Sequence, residues 1–316
     1  MLKTISASLN RLLGRTESLP VSKAAQHWDA WQASRNASPI NYVDWGDHPT
    51  VLGLIYQDLF GSSTTTVLDF FKESYPELSQ ARALSLCSGD GSFEKALVAQ
   101  GVFRSVVGTD LSPVRVAQAN ENRGEYADRL EYQIADVNDG NFGAGTYDVV
   151  FAKAALHHIE ALDTSLRGMK RCLRPGGRLM TIDFFGATRF QWTEQQMSLA
   201  NGFLEKSIPE NLLRRKDGSL HQKVARPTVE QMIEIDPSEA VRSGELYDAL
   251  ANHFEIEREL NAGGTLLNLI FDGTVVNNFE AGNAEHDALI EKAFRYERAL
   301  MAKGEIGSDF KIIIAR

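Results

Sequence analysis

From Ala81 to Phe185 the chain alternates short apolar runs with amphipathic stretches of helical period, and this alternation constrains the fold more than any other feature. Such a pattern belongs to βαβ units with a parallel sheet, because each buried strand must be followed by a helix that covers it. The expected strands are Ala83–Cys87, Ser105–Thr109, Leu130–Ala135, Tyr147–Phe151 and Arg178–Asp183. Helices are expected over Ser92–Gln100, Pro113 to about Asn122, and about Ala161 to Cys172, with Pro175-Gly176-Gly177 as a turn. Beyond Gly186 the texture is irregular and mostly helical. Asp236-Pro237-Ser238-Glu239 reads as a helix start, Phe254–Leu260 as a strand, and Asn283–Lys303 as a long charged helix. A helix is expected over Asn201–Arg215, a cap over Gly263–Phe279 with a bend at Gly263 and Gly264, and a buried final strand over Asp309–Ala315.

The chemistry concentrates where the first strand ends. Leu84-Ser85-Leu86-Cys87-Ser88-Gly89-Asp90-Gly91-Ser92 carries a strand into a tight glycine turn and then a helix. Glycines permit positive φ and close approach of backbone to a ligand. Asp110 follows at the end of the second strand, where an acid can take the hydroxyls of an adenosine ribose. A nicotinamide dinucleotide would place its pyrophosphate at this helix start, where a third small residue is needed. Here Glu94 occupies that place, and Asp90 sits inside the turn. Two carboxylates repel a pyrophosphate but suit a cationic ligand, so S-adenosylmethionine (SAM), with its ammonium and sulfonium, is preferred over a nicotinamide.

Five motifs then fall in order. They are Ser85-Leu86-Cys87-Ser88-Gly89-Asp90-Gly91, Val107-Gly108-Thr109-Asp110-Leu111-Ser112, Ile134-Ala135-Asp136-Val137, Leu156-His157-His158-Ile159 and Leu173-Arg174-Pro175-Gly176-Gly177. Over this third of its length the chain resembles the class I, Rossmann-like SAM-dependent methyltransferases, close to their small-molecule branch. The first motif of that family usually reads D-L-G-C-G-x-G. Here its leading acid is Ser85 and its first glycine is Cys87. The resemblance implies an α/β fold with a doubly wound, mostly parallel seven-stranded sheet, a helical N-terminal lid and C-terminal helical cap insertions. It implies SAM as cofactor and S-adenosyl-L-homocysteine (SAH) as product. Ser85, Cys87, Ser88, Gly89, Asp90 and Gly91 would contact the cofactor. Asp110 and Leu111 would serve its ribose, and Asp136 and Val137 its adenine.

His157, His158 and Asp183 lie just past the fourth strand or at the end of the fifth, at the side where ligands bind, and are the candidate catalytic groups. Trp45, Arg189 and Trp192 are the candidate acceptor contacts, and Trp28, Trp31, Tyr42, Trp45 and His48 the candidate lid. Cys87 reads as a packing residue and Asp148 as structural. The expected units are 1–80 (lid), 81–186 (cofactor core) and 187–316 (cap insertions and the last strands).

The net charge of -9 opposes a nucleic-acid partner, whose phosphates need a basic surface. Ala152-Lys153-Ala154-Ala155 is no N-P-P-Y or D-P-P-Y, which also argues against base methylation. Two cysteines without CxxC spacing fit a reducing compartment, and no metal ligation is expected. No apolar stretch approaches transmembrane length, although Met1–Arg15 has the pattern of a short surface helix. The expectation is a cytoplasmic monomer or homodimer that methylates an oxygen or nitrogen of a small metabolite or glycan. Two rivals stay open: an enzyme that cyclises SAM and releases methylthioadenosine, and a non-catalytic SAM-binding module. A nicotinamide oxidoreductase is disfavoured by Asp90 and Glu94.

Overall fold

Five strands run parallel through the centre of the protein: β1 (Arg82–Leu86), β2 (Ser105–Asp110), β3 (Leu130–Ile134), β4 (Tyr147–Lys153) and β5 (Leu173–Phe184). With β6 (Ile256–Gly263) and β7 (Phe310–Ala315) they make a seven-stranded sheet in the order β3-β2-β1-β4-β5-β7-β6. β7 is antiparallel to both of its neighbours. The mostly parallel doubly wound sheet read from the sequence is the fold. The structure is a computed structural model that describes residues 23–37, 44–215, 218–272 and 275–316. Met1–Arg15 and Tyr42 lie outside the described residues.

Both faces of the sheet's centre are covered, so β4 is apolar and buried at four successive positions, Val149 to Ala152, rather than at alternate ones. Along β4, Val149 and Phe151 enter one core with Phe71, Leu97, Phe103 and Val116, whereas Val150 and Ala152 enter the opposite core with Leu156, Leu166 and Leu250. The first core is built under α3 (Val67–Ser74), α4 (Ser92–Ala99) and α5 (Pro113–Glu121). The second lies under α6 (Leu162–Cys172) and α9 (Leu246–His253). A third apolar cluster joins α2 (Pro49–Phe60), α7 (Glu194–Ser207), α10 (Leu267–Ile270) and α11 (Ala284–Ala302) beside the sheet edge. Two further helices, α1 (Lys23–Ala37) and α8 (Val229–Ile235), complete the described helices.

Local chemistry explains the boundaries. The Ser112 hydroxyl accepts from the Arg115 amide and Pro113 occupies the first turn, which starts α5. Asn283 caps α11. The start of α10 is capped from a distance. Buried Glu297 of α11 accepts the Gly264 amide at 2.9 Å, the Leu266 amide at 2.6 Å and the Leu267 amide at 3.0 Å. The bend expected at Gly263 and Gly264 is present, with φ of 84° and 81°.

Three local expectations are corrected. Pro175-Gly176-Gly177 is not a turn before a strand. Leu173 already pairs with Tyr147, Arg178 is the partner of Val149, and the residues between them form a bulge within β5. Asp236-Pro237-Ser238-Glu239 starts no helix. Asp236 ends α8, and its carboxylate accepts the Ser238 amide at 2.8 Å to shape a tight turn. The helix expected over Asn201–Arg215 begins earlier and stops at Ser207.

Candidate functional site

β1 and β4 are adjacent, and their following connections leave toward opposite faces, so a crevice opens beyond their carboxyl ends. The turn after β1 lines it. Cys87, Gly89 and Gly91 take φ of 51°, 57° and 75°. At Gly91 and Gly108 an added Cβ would fall within 2.6 and 2.5 Å of the Tyr132 ring. The Tyr132 hydroxyl also donates to the Gly91 carbonyl at 3.0 Å, so these two glycines make room for a phenol beneath the turn. Around Gly89 the nearest atom an added Cβ would meet is the Arg115 guanidinium at 3.9 Å, which leaves the backbone open to the crevice.

Asp110 ends β2 and is 4% exposed. One carboxylate oxygen accepts the Gly89 amide and the other the Ser112 amide, each at 2.9 Å. Burial raises its pKa, and the backbone donors and Arg115 oppose that rise. Each oxygen keeps a lone pair for a ligand hydroxyl. Asp136 accepts the Asn138 amide at 2.9 Å and caps the turn that follows β3.

Across the crevice, Asp183 at the end of β5 organises the loop after β4. Its carboxylate accepts the Ala155 amide at 3.0 Å and the Leu156 amide at 2.8 Å, and it meets Nδ1 of His157 at 2.6 Å. Nε2 of His157 faces Glu239 Oε1 at 3.5 Å. Burial by itself would lower the pKa of His157. The Asp183 charge and hydrogen bond, then Glu239, outweigh burial and raise it to about 9. Burial would raise that of Asp183, and the His157 charge and hydrogen bond bring it below the ordinary carboxylate value. Glu239 is pushed up by burial. Burial, followed by the charge of His157, holds His158 well below 6.5, and its Nδ1 lies 3.1 Å from the Ser238 hydroxyl. His157, His158 and Glu239 bring ligand-type atoms within 4.8 Å of one another, the composition of a metal site. The hydrogen bonds to Asp183 and Ser238 account for how both rings are held.

These groups share one cavity of about 950 Å³. Ser88, Glu94, Lys153, His157 and Glu239 line it, and Asp44 reaches it from the turn before α2. Burial pushes the Asp44 carboxyl up to about 6. Helix α1 lies along the side next to α5. Trp28 and Trp31 hold the Arg115 guanidinium 4.3 and 4.8 Å from their ring centres, Trp28 meets His158 edge-on at 5.2 Å, and the Ser112 hydroxyl donates to Asp29.

The structure brings Cys87, Ser88, Gly89, Asp90, His157 and His158 to the cavity wall, with Asp110 and Asp183 directly behind it. Ser85 is buried under the turn and donates to Glu94 at 2.7 Å. Leu111, Asp136 and Val137 are not among the lining residues, and Val137 packs in the core under α6. Nor do the expected acceptor contacts line the cavity. Trp45 is 3% exposed and packs edge-on against Phe310, Arg189 donates to the carbonyls of Pro237 and Glu239, and Trp192 stacks on Phe190. All three pack behind residues of the wall: Trp45 behind Phe310, Arg189 behind Glu239 and Trp192 behind Phe190. His48 is held between the Phe279 carbonyl and the Thr50 amide. Burial, followed by the charges of Asp110 and Asp183, pushes the Cys87 thiol far above its ordinary range, which opposes formation of a thiolate. Glu239 and Asp44 were not singled out from sequence as site residues. An acid in a turn far downstream, or one that caps a short turn, carries no local mark of the strand end it will meet.

A family model described as a methyltransferase domain matches residues 84–181. The chain is similar to a highly reducing polyketide synthase of Calcarisporium arbuscula, 30% identical over 115 residues, which is 34% of this chain and 4% of that protein. It is likewise similar to a hybrid PKS-NRPS synthetase of Hapsidospora irregularis, 34% identical over 105 residues, 31% of this chain and 3% of that protein. The chain thus spans only a small part of these relatives. Among solved structures, geranyl diphosphate C-methyltransferase of Streptomyces coelicolor A3(2) superimposes with a TM-score of 0.53 at 14% identity, over 95% of this chain and 99% of that one. The (4+2)-cyclase SpnF gives 0.50 at 15% identity, over 95% and 98%. At these identities the likeness is one of fold.

Proposed function

From the match of residues 84–181 to a methyltransferase-domain model, we propose that this chain is a class I SAM-dependent methyltransferase that acts on a small-molecule acceptor bound in the cavity between Glu94 and Glu239. The observation that carries the reading is the line Asp183–His157–Glu239, which ends in the same cavity as the glycine turn. The cavity also fits the cofactor. The Ser88 hydroxyl and Glu94 Oε2 are buried without hydrogen-bond partners, the backbone at Gly89 is open, and Asp110 retains free lone pairs. Asp110 would hold the ribose. When bound, SAM supplies a methyl group on a sulfonium, already activated for displacement.

The protein's own task is then to place the acceptor, exclude water and manage a proton. Asp183 fixes the imidazole by its Nδ1 side, so Nε2 points toward Glu239 and the cavity. The His157–Glu239 pair takes the proton that the acceptor releases. Its high proton affinity suits an acceptor far weaker as an acid than a carboxylic acid. An oxygen or nitrogen acceptor meets that condition, as the sequence expected. The polyketide synthase relatives favour a third kind, the carbon between two carbonyls of a polyketide-type acyl chain. The fold itself does not choose the reaction, since a (4+2)-cyclase shares it.

The test uses SAM with a deuterated methyl group and a panel of β-ketoacyl thioesters, phenols and amines, analysed by mass spectrometry and NMR. The expected result is SAH together with a deuterated methyl on the carbon between two carbonyls. Label on oxygen or nitrogen would refute the carbon acceptor. Methylthioadenosine in place of SAH, or no turnover with any acceptor, would overturn the methyltransferase reading.

A further inference from the structure

The polar groups on the glycine-turn side of the cavity take no part in the proton transfer, and they are arranged for a ligand that carries both charges. The position that holds an acid in the resembling family is Ser85 here, 1% exposed and next to last in β1. Its hydroxyl donates to Glu94 Oε1 at 2.7 Å. A carboxylate therefore reaches the floor of the crevice from the first turn of α4 instead of from the strand. Glu94 is 3% exposed, and its second oxygen, Oε2, has no hydrogen-bond partner. The Ser88 hydroxyl beside the turn is also buried without one. A buried acceptor in this condition is costly unless a donor arrives. Burial pushes the Glu94 carboxyl up to about 7, which a bound cation would reverse.

Lys153 stands at the end of β4 and lines the same cavity. Its ammonium lies 5.2 Å from the centre of the Phe93 ring. Among the described residues no carboxylate pairs with it within 4.0 Å, Glu94 included, although it lowers the proton affinity of Glu94 through space. An acid and a base that share a cavity without pairing match an amino-acid zwitterion. A lone cation would meet Lys153, and a lone anion would meet Glu94.

We propose that Glu94 and Lys153 form a zwitterion subsite, in which Glu94 takes the α-ammonium and Lys153 the carboxylate of the cofactor's methionine end. This rests on the reading of the cavity as the SAM site. It explains how the chain dispenses with an acid at position 85, since Ser85 positions the carboxylate that replaces it.

Calorimetric titration of the full chain with SAH and with methylthioadenosine, which lacks the amino-acid end, tests it. The wild type should bind SAH at least roughly tenfold more tightly than methylthioadenosine. Glu94→Gln and Lys153→Met should each lose about tenfold or more of SAH affinity and leave methylthioadenosine affinity within about twofold. Retained methylthioadenosine binding also reports that a variant has folded, and if Glu94→Gln does not fold, exposed Lys153→Met decides alone. If SAH still binds and its advantage over methylthioadenosine survives in the variants, the subsite is refuted while the cofactor site stands. If the wild type binds neither compound, the cofactor reading falls, and the subsite with it.

Discussion

Cys87 shows at the scale of one residue how this site departs from the motif it resembles. It adopts φ of 51° at the position where the resembling motif has glycine. A side chain in the left-handed region costs roughly 1–2 kcal/mol, partly offset because glycine has more freedom to lose on folding. Cys87→Gly should therefore raise stability by up to about 1 kcal/mol, read as a Tm increase of a few degrees by calorimetry. The same scale holds the proton chemistry. His157 is protonated at neutral pH because Asp183 and Glu239 flank it, so the pair must lose a proton before it can accept one. With a proton-bearing acceptor, kcat/KM should climb with pH through about 9. His157→Gln should lower kcat/KM by roughly 10²- to 10⁴-fold. Asp183→Asn removes the charge that raises His157, so the rising limb should move to lower pH, a shift that a merely structural role for Asp183 would not produce.

Elements decide which of these residues meet. β4 and β5 end side by side, and this places Asp183 under the backbone of the Ala155–His157 loop. The turn after α8 then delivers Glu239 to the far side of the ring. α1 ties α5 to the same loop through Arg115, Trp28 and His158. Beside the sheet edge, Glu297 of α11 plays an architectural role with three backbone amides at the start of α10. Its truncation would leave those donors unsatisfied in the interior. Glu297→Ala is expected to cost about 3 kcal/mol in urea unfolding. Asp110, Glu94 and Lys153, which would hold the cofactor, lie on other elements, so SAH affinity should be retained by whatever fraction remains folded.

For the whole molecule, buried proton-binding groups set the response to pH. His157 has a folded-state pKa of about 9, above its ordinary 6.5. Its contribution to stability is therefore complete below pH 6.5 and lost as pH rises through about 9. The raised carboxyls of Asp44, at about 6, and Glu94, at about 7, act in the same direction at lower pH, because the folded state holds their protons more tightly. The Tm of the ligand-free protein should fall between pH 6.5 and about 9, and the fall should be smaller in His157→Gln. An equal fall in that variant would show that other groups control it. No described helix is long and apolar enough to cross a membrane.

The periodicity from Ala81 to Phe185 was enough to specify a parallel sheet, the order of strand and helix along it, and the crevice-forming turn at Gly89 and Gly91. Those features rest on backbone sterics and on burial of neighbouring residues, which are written locally. It placed His157 and Asp183 at strand ends, yet it did not pair them with Glu239. Nor did it reveal that Glu94 bends back to Ser85, or that Trp45, Arg189 and Trp192 face away from the cavity. The bulge in β5 was misread for the same reason, since its pairing partner is distant in sequence, and the Asp236–Glu239 turn, closed locally by Asp236, is also held by His158 and Arg189 from far along the chain. Burial and charge at a site are properties of what surrounds a group in space. They exist only after the sheet has closed and the cap has folded over it, and so the tertiary structure alone decided which acids face the cavity and what proton affinity each one has.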